Sequence, residues 1–330
     1  GDVGLPQEYI KKVALSEDGR RLVYAASNLT SPERIFTADY RGRNPKMVYN
    51  PNPDLDRHFK MGEVERWNFT DSKGYNIDGW ILYPPDFDQN KKYPMIVYYY
   101  AGVWMLDESF YYTYHFWAAN GYVVYALTPV GAMAHGDEFS AWHTNDWGEH
   151  ATQDIIEGVQ KLTAEKDFID KDAIGAYGGS YGGFTTMDLI TRTDMFAAAV
   201  SMYGISNIAS YWGGGVWGYT YGDIALARSY PWNRKEVFVE KSPLFNADKI
   251  NTPLLLLHGD ADVNVPELES EQMFTALKVQ DKEVALVRFK GEGHGIAGDF
   301  RNYIAHREMM LEWFDMHLKG QPAGWELRWE

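Results

Sequence analysis

The chain has 330 residues, of which 45% are hydrophobic and 23% charged, and this composition excludes disordered, collagen-like and coiled-coil proteins. Its 31 Lys and Arg stand against 46 Asp and Glu, and the net charge of −15 makes nucleic acid an unfavourable partner. The absence of cysteine rules out disulfides, thiolate metal sites and a cysteine nucleophile. The longest apolar run, residues 95–106, falls well short of the roughly 20 residues of a membrane span, so none is expected.

The first fifty residues contain short β-rich runs separated by turns. The Asp18-Gly19 pair is a typical turn signal, and strands are predicted at residues 13–15, 21–25, 34–38 and 46–49. Such a unit makes one antiparallel sheet, which is only marginally stable in isolation. The sequence starts Gly1-Asp2 without Met, from which we expect that the native N-terminus is absent. The compartment is left open between cytoplasm and periplasm or secretion.

From about residue 93 the pattern changes to alternating strands and helices. Strands are predicted at 94–101, 121–127, 172–177, 196–202, 253–258 and 283–289, and helices at 108–119, 149–165, 181–192, 265–279 and 301–319. Apolar strands separated by helices predict the α/β class, with a mostly parallel sheet covered by helices on both faces. We predict a β-rich segment at 1–60 and a catalytic domain at 61–330, with its chemistry at the carboxyl ends of the strands.

One strand end carries a candidate nucleophile. The strand 173–177 is followed by G-G-S-Y-G-G at 178–183 and then by a helical run. This is G-x-S-x-G between a strand and a helix, the context that makes the string a nucleophile elbow. The glycines permit a strained turn that exposes the Ser180 hydroxyl, and the backbone N–H of Tyr181 is positioned for a developing oxyanion.

A serine nucleophile needs a base and an acid, which this kind of fold places in the order serine, acid, histidine. The strand 253–257 leads into H-G-D-A-D-V-N-V-P at 258–266, and the next strand leads into G-E-G-H-G at 291–295. We choose Asp262 over Asp260 because it reaches further over the loop, and His294 because it follows the acid loop at a strand end. His258 precedes the acid and is interpreted as a packing residue.

These three motifs resemble the signatures of the prolyl oligopeptidase family of serine peptidases, in particular its dipeptidyl peptidase and acylaminoacyl peptidase branches. The resemblance covers roughly residues 60–320. It implies an α/β-hydrolase fold that normally sits beneath a β-propeller. The segment at 1–60 then resembles the last propeller blade, and the rest of the propeller would be missing. It implies no metal and no organic cofactor, and it leaves room for a homo-oligomer.

The resemblance also carries individual positions. It implies that the Tyr100 hydroxyl shares the oxyanion hole with the Tyr181 N–H, although packing in the aromatic run 98–100 is an equal alternative. It implies further substrate-binding side chains, namely Asn264, Val265, Ile205, Ile208 and Tyr211. The segment D-W-G at 146–148 is interpreted as structural. The aromatic, glycine-rich segment 211–221 is either a mobile pocket wall or a packed surface loop.

Two departures from the family bear on specificity. Ile208 stands where prolyl-specific relatives tend to have an aromatic ring, and Ala101-Gly102-Val103 replaces the usual glycine followed by proline. A ring stacks on proline, whereas isoleucine leaves a wider aliphatic pocket, so strict proline specificity is not expected.

The sequence therefore predicts a serine peptidase that cleaves short peptides through an acyl-enzyme on Ser180. Asp262 would orient His294, which acts first as general base and then as general acid. Two alternatives stay open: a carboxylesterase with the same triad, and a catalytically silent interaction module.

Overall fold

The computed structural model describes residues 9–106, 108–133, 135–214, 217–220 and 226–329. The chain divides into two compact units. Residues 1–65, 81–88 and 107–122 belong to the first unit, and residues 66–80, 89–106 and 123–330 belong to the second.

The N-terminal sheet has four antiparallel strands in the order β1-β2-β3-β4. They are β1 (Tyr9–Leu15), β2 (Arg21–Asn28), β3 (Ser31–Asp39) and β4 (Lys46–Tyr49). The turn after β1 uses Gly19 at φ 68°, a conformation that glycine adopts without a steric penalty. Tyr24 and Phe36 stack with ring centroids 5.4 Å apart and anchor a small apolar cluster. The four predicted strands are confirmed.

The second sheet has nine strands, in the order β13-β12-β11-β10-β8-β9-β7-β5, with β6 paired to β7. Their bounds are β5 (Val64–Arg66), β6 (Phe69–Thr70), β7 (Asn76–Leu82), β8 (Tyr93–Tyr98), β9 (Val123–Thr128), β10 (Ile169–Gly179), β11 (Ala198–Met202), β12 (Leu254–Gly259) and β13 (Val284–Phe289). Strands β8 to β13 pair in parallel, whereas β6 and β7 are antiparallel. The predicted mostly parallel sheet is confirmed, and the sequence analysis missed β5 to β7.

All five predicted helices are present, although the first begins at Tyr112 and not at 108, and the described residues form further short helices that were not predicted. The helices are α1 (Pro53–His58), α2 (Tyr112–Ala119), α3 (Asp137–Ala141), α4 (Glu149–Glu165), α5 (Tyr181–Arg192), α6 (Ile208–Gly214), α7 (Trp217–Thr220), α8 (Leu268–Lys278), α9 (Phe300–Lys319) and α10 (Ala323–Trp329). A π-helical turn (Glu236–Glu240) and a 3₁₀ helix (Pro243–Lys249) precede β12. Helix α8 begins later than its predicted start at 265, because Asp262 holds the residues before it in a loop.

Apolar packing joins α5 and α8 to the parallel strands. Met187 and Ile190 of α5 pack with Leu254 and Leu256 of β12, and all four are fully buried. Burial of each such side chain contributes about 1.5–3 kcal/mol. Helix α9 approaches β10 closely, since a Cβ on Gly175 would lie 2.6 Å from the Phe314 ring. This packing fixes the sheet whose strand ends carry the candidate site.

Candidate active site

Ser180 occupies a strained turn between β10 and α5. Its backbone has φ 60° and ψ −120°, a region that residues with a Cβ rarely adopt. Its N–H donates to the carbonyl of Met202 at 2.9 Å, and its own carbonyl accepts from Phe184 at 3.0 Å. The turn therefore ends the strand, begins the helix and exposes Ser180 at the carboxyl edge of the sheet.

The neighbouring glycines are required because the backbone passes through this turn with no room for side chains. A Cβ on Gly178 would lie 2.5 Å from the carbonyl group of Gly182. A Cβ on Gly182 would lie 2.9 Å from the carbonyl oxygen of Tyr99, and one on Gly183 would lie 2.7 Å from Gly204. Real Cβ atoms do not make such contacts, so the G-x-S-x-G spacing has a steric cause.

Asp262 and His294 meet although 32 residues of chain separate them. The Nδ1 atom of His294 lies 2.7 Å from Oδ2 of Asp262. The other carboxylate oxygen, Oδ1, accepts hydrogen bonds from the backbone N–H groups of Asn264 at 2.8 Å and Val265 at 3.0 Å. The acid is thus held by its own loop and presents one oxygen to the imidazole.

The surroundings of Asp262 favour its ionised form. Burial raises the pKa of this carboxyl, but hydrogen bonds from His258, His294 and the Val265 N–H outweigh burial. The net pKa lies well below the ordinary value of 3.8. The carboxylate is therefore charged at every pH at which the protein would be assayed.

The structure brings Asp262, and not Asp260, to His294. Oδ1 of Asp260 accepts instead from the N–H of Gly291 at 2.6 Å and ties the two loops together. His258 is fully buried, with Nδ1 2.7 Å from the Ser270 hydroxyl and Nε2 2.9 Å from the Val265 carbonyl. The interpretation of His258 as a packing residue agrees with these contacts, although its Nε2 also lies 3.5 Å from Oδ2 of Asp262.

A cleft of about 550 Å³ opens at this edge and contains Ser180, His294 and Tyr100. Most of its wall is aromatic or apolar: Tyr98, Gly102, Val103, Trp104, Trp147, Gly179, Tyr181, Met202, Tyr203, Ile205, Tyr211, Trp217 and Asn264 line the rest. Tyr181 is the first residue of α5, where backbone N–H groups have no partner inside the helix. The site therefore combines a hydroxyl, an imidazole and N–H donors in one concave surface.

Tyr100 lies beside Ser180 as a neutral phenol. Burial raises its pKa above the ordinary value of 10.0, and a hydrogen bond with Ser180 only partly offsets this effect. Its ring centroid is 6.4 Å from that of Tyr181. A phenol that keeps its proton is able to donate a hydrogen bond into the cleft.

The five predicted substrate-binding residues separate into two groups. Asn264, Ile205 and Tyr211 line the cleft. Ile208 and Val265 are fully buried and belong to the apolar cluster behind its wall. They pack in the same cluster as Ile205 and Tyr211, so they support the two residues that line the cleft.

Glu269 anchors the loop that carries this wall. Its side chain accepts from the N–H groups of Ser206 at 3.0 Å and Asn207 at 2.8 Å, and from the Ser210 hydroxyl at 2.5 Å. The Ser206 hydroxyl at 3.3 Å and the Gln272 amide at 3.0 Å add two further donors. Burial raises the pKa of this carboxyl above its ordinary value of 4.5. A single buried carboxyl therefore ties α8 to the segment between Ile205 and Tyr211.

The sequence analysis missed Trp147 and Tyr203 as cleft residues. Trp147 adopts φ 41° and stacks on Tyr181 at 5.5 Å. Tyr203 adopts φ 39° and places its ring edge-on to His294 at 4.6 Å. Neither residue is a glycine, so the sequence carries no sign of its positive φ, and the D-W-G segment that contains Trp147 was interpreted only as structural.

The aromatic segment 211–221 lies partly in the cleft wall, since Tyr211 and Trp217 both line it. Residues 215, 216 and 221 of that segment lie outside the described residues. No group of three His, Cys, Asp or Glu side chains within the described ranges could hold a metal ion. None of the helices in those ranges is both long and apolar enough to cross a membrane.

Comparison with known proteins identifies the family. Residues 108–321 match the family model for the prolyl oligopeptidase family. The chain belongs to this family. It is 30% identical over 319 residues to an uncharacterised peptidase of Bacillus subtilis, YuxL. That alignment covers 96% of this chain and 48% of the Bacillus protein. It is 28% identical over 275 residues to dipeptidyl-peptidase 5 of Porphyromonas gingivalis, covering 80% of this chain and 39% of that enzyme.

Solved structures agree with this assignment. Acylaminoacyl peptidase from Pyrococcus horikoshii superposes with a TM-score of 0.86 at 26% identity, over 94% of this chain and 50% of that one. An acylaminoacyl peptidase in complex with Z-Gly-Gly-Phe-chloromethyl ketone gives a TM-score of 0.87, also at 26% identity, over 95% of this chain and 50% of that one. The predicted α/β-hydrolase fold, preceded by an antiparallel β segment, is confirmed. The chain spans about half the length of the relatives that it matches.

Proposed function

We propose that this chain is the catalytic part of a serine peptidase that hydrolyses short peptides through an acyl-enzyme on Ser180. The observation that carries the proposal is the cleft in which Ser180 and His294 face the same space, with Asp262 on the far side of the imidazole. Membership of the prolyl oligopeptidase family supports the same activity. Amide hydrolysis by an activated serine requires this set of groups.

The three side chains would act in sequence. Oγ of Ser180 attacks the carbonyl carbon while its proton passes to the imidazole of His294. Collapse of the tetrahedral intermediate breaks the C–N bond, and the imidazolium gives its proton to the leaving amine. Water then attacks the acyl-enzyme by the same route and releases Ser180. Asp262 holds the imidazole through Nδ1 and stabilises its positive charge.

Two donors would stabilise the oxyanion. The N–H of Tyr181 stands at the start of α5, and the neutral hydroxyl of Tyr100 lies beside Ser180. Charge develops on the oxygen only as the bond forms, so fixed donors there favour the transition state over bound substrate.

Substrate would lie along the aromatic wall. Ile205 and Tyr211 would contact the residue before the scissile bond, and Asn264 would contact the substrate backbone, with Ile208 and Val265 acting from behind. The dipeptidyl-peptidase and acylaminoacyl-peptidase relatives support cleavage of short peptides near one end. Because Ile208 is buried and offers no ring to the cleft at that position, strict proline recognition is not expected.

Substrate choice would also depend on chain outside this sequence. Because the chain spans about half of its relatives, we propose that a β-propeller of the same protein covers the site, with the boundary near residue 60. The N-terminal antiparallel sheet would be one blade of it. A homo-oligomer remains a prediction from the family resemblance alone.

The test is labelling by a fluorophosphonate probe and hydrolysis of a peptide library by the full-length protein. Ser180→Ala should abolish labelling and lower kcat by on the order of 10⁶. The exposed Ser72→Ala variant is the control and should label like the parent. A Ser180→Ala protein that kept a tenth of the activity would contradict the assignment.

Two further outcomes would redirect the proposal. Efficient turnover of a short acyl ester without turnover of a peptide anilide would indicate a carboxylesterase. A parent protein that neither labels nor hydrolyses either substrate would indicate a catalytically silent interaction module.

A further inference from the structure

Trp217 makes a polar contact inside the cleft that apolar packing does not require. Its indole Nε1 donates a hydrogen bond to Oδ1 of Asn264 at 2.8 Å. Both side chains line the cleft that contains Ser180 and His294. We propose that Trp217 is a positioning residue that orients the carboxamide of Asn264 so that its NH₂ group donates to a substrate carbonyl. The proposal rests on the peptidase function proposed above.

The hydrogen-bonding chemistry of the two groups determines the orientation of the amide. An indole N–H is a donor only, whereas a carboxamide carries an acceptor oxygen on one side and two N–H donors on the other. The two ends have nearly the same shape, so an asparagine without such a partner can present either one. Because Trp217 can pair only with the oxygen, the Nδ2 end of Asn264 is left to a ligand. Within the described ranges, no residue accepts a hydrogen bond from Nδ2.

The backbone of Asn264 is already fixed by hydrogen bonds of its loop. The hydrogen bond from Trp217 therefore restricts only the rotation of the Asn264 side chain. The N–H of Asn264 donates to Oδ1 of Asp262 at 2.8 Å, and the N–H of Val265 donates to the same oxygen. Trp217 itself packs against the buried cluster that contains Tyr181 and Tyr211. A donor held in place before binding loses less entropy when the substrate arrives.

The substrate group that fits this donor is a backbone carbonyl. Within the described ranges, the residues that line the cleft include no Asp, Glu, Lys or Arg, and a neutral carbonyl oxygen suits the amide N–H donor. The carbonyl that is attacked would be occupied by the Tyr100 and Tyr181 donors. The next acceptor lies one residue earlier in the substrate, about 3.3–3.6 Å of chain away. Asn264 would donate a hydrogen bond to that preceding carbonyl, and Trp217 would hold the Asn264 carboxamide in the orientation that allows it.

A pair of uncharged substrates isolates this contact. N-acetyl-phenylalanine p-nitroanilide has the preceding carbonyl, and 3-phenylpropionyl p-nitroanilide lacks it. Trp217→Phe keeps an aromatic ring and removes the N–H. We expect kcat/KM for the acetylated substrate to fall about three- to ten-fold, the range of one hydrogen bond, and to change less than two-fold for the other.

A double-mutant cycle makes the test specific. In an Asn264→Ala background, Trp217→Phe should cause no further loss on the acetylated substrate, because the group that it orients is gone. Trp217→His, which restores a ring N–H, should recover part of the difference between the substrates. Trp232→Phe alters a tryptophan that is 68% exposed and outside the cleft, and it serves as the matched control.

The outcomes are distinguishable. An equal loss on both substrates, or an undiminished loss in the Asn264→Ala background, would overturn the proposal and leave Trp217 a packing residue. A parent protein that does not label at Ser180 and hydrolyses neither substrate would instead overturn the proposed peptidase function. If Trp217→Phe lowers the melting temperature, the Trp217→His variant and the ratio between the two substrates still decide the question.

Discussion

The two sides of the cleft are built by different means. On the reactive side, Ser180 and Asp262 are held mainly by backbone geometry: a left-handed φ, glycine contacts and N–H groups of the same loop. On the wall side, Ile205, Tyr211 and Trp217 are held by apolar packing and by hydrogen bonds between distant side chains. Backbone constraints depend on a few adjacent residues, whereas the wall depends on residues far apart in the chain.

The two sides of the cleft should therefore differ in how well they tolerate substitutions. A close backbone contact cannot relax without moving a strand or a helix, so a change there alters both the turn and the nucleophile. A side chain in the wall can shift within its neighbours, so a change there alters affinity before it alters chemistry. We therefore expect substitutions on the reactive side to change kcat more than substitutions in the wall do.

After loss of the nucleophile itself, the largest effect should come from the acid. Asp262→Asn can offer its NH₂ group to Nδ1 of His294 and so hold the wrong tautomer of the imidazole. We expect kcat to fall about 10⁴-fold, as for other enzymes with this triad. Asp260→Asn is the matched control, because its carboxylate contacts Gly291 and not the imidazole. If Asp260→Asn proved the more damaging variant in the anilide assay, the choice of acid would be wrong.

The same substitution has a consequence for stability. The folded-state pKa of Asp262 lies below its ordinary value of 3.8, so its ionisation stabilises the fold above that value. This contribution is lost as the pH falls from about 4 toward the lowered pKa. The unfolding free energies of the parent and Asp262→Asn, measured in urea between pH 3 and pH 7, should therefore converge at the acidic end.

The Tyr100 hydroxyl should have the next largest effect. Tyr100→Phe removes one proposed oxyanion donor and leaves the ring against Tyr181. We expect kcat to fall by about 10²–10³-fold with little change in KM, because the donor acts on charge that develops after binding. Tyr112→Phe, at an exposed tyrosine outside the cleft, is the control. An unchanged kcat in Tyr100→Phe would assign this residue to packing alone.

A pair of glycine substitutions compares the two sides directly. Gly178→Ala would place Cβ 2.5 Å from the Gly182 carbonyl group, whereas Gly213→Ala in α6 would meet nothing within 4 Å. We expect Gly178→Ala to destabilise the protein by about 1–3 kcal/mol or more. Gly213→Ala should stabilise it by up to about 1 kcal/mol through helix propensity. Urea unfolding measures both, and equal effects would remove the distinction between the two sides.

The smallest effect should come from the carboxyl behind the wall. Glu269→Gln keeps the shape, but with its oxygen on the N–H groups of Ser206 and Asn207 its NH₂ group faces the Ser210 hydroxyl, where the carboxylate accepts a hydrogen bond. We expect KM to rise by less than about ten-fold with kcat nearly unchanged, since one hydrogen bond to a charged group is at stake. Glu240→Gln, an exposed change, is the control. A fall in kcat larger than the rise in KM would place Glu269 with the reactive side.

The pH dependence of this variant follows from the raised pKa of Glu269. The folded protein holds this proton more tightly than the unfolded chain, so the associated stability is full below about 4.5 and is lost as the pH rises through the folded pKa. Glu269→Gln removes that dependence. Its stability relative to the parent should therefore improve as the pH rises, and a constant difference in urea titrations would contradict the burial of this group.

The sequence by itself determined the features that depend on local patterns. The six parallel strands, the helices α4, α5, α8 and α9, and the serine turn all follow from periodicity and glycine spacing, because backbone geometry is decided by adjacent residues. The positions of Asp262 and His294 at strand ends also followed, since parallel strands end at one edge of a sheet. Strands β5 and β6 were missed because they have only three and two residues, and β7 was missed although it has seven.

Only the tertiary structure decided which side chains form the cleft wall. Ile205, Ile208 and Val265 carry the same apolar signal and are all buried in one cluster, yet of the three only Ile205 lines the cleft. Trp147, Tyr203 and the indole of Trp217 enter the cleft through backbone conformations and contacts that no local pattern encodes. The physical reason is that a wall is the sum of contacts between segments remote in sequence, whereas the reactive turn is built from neighbours along the chain.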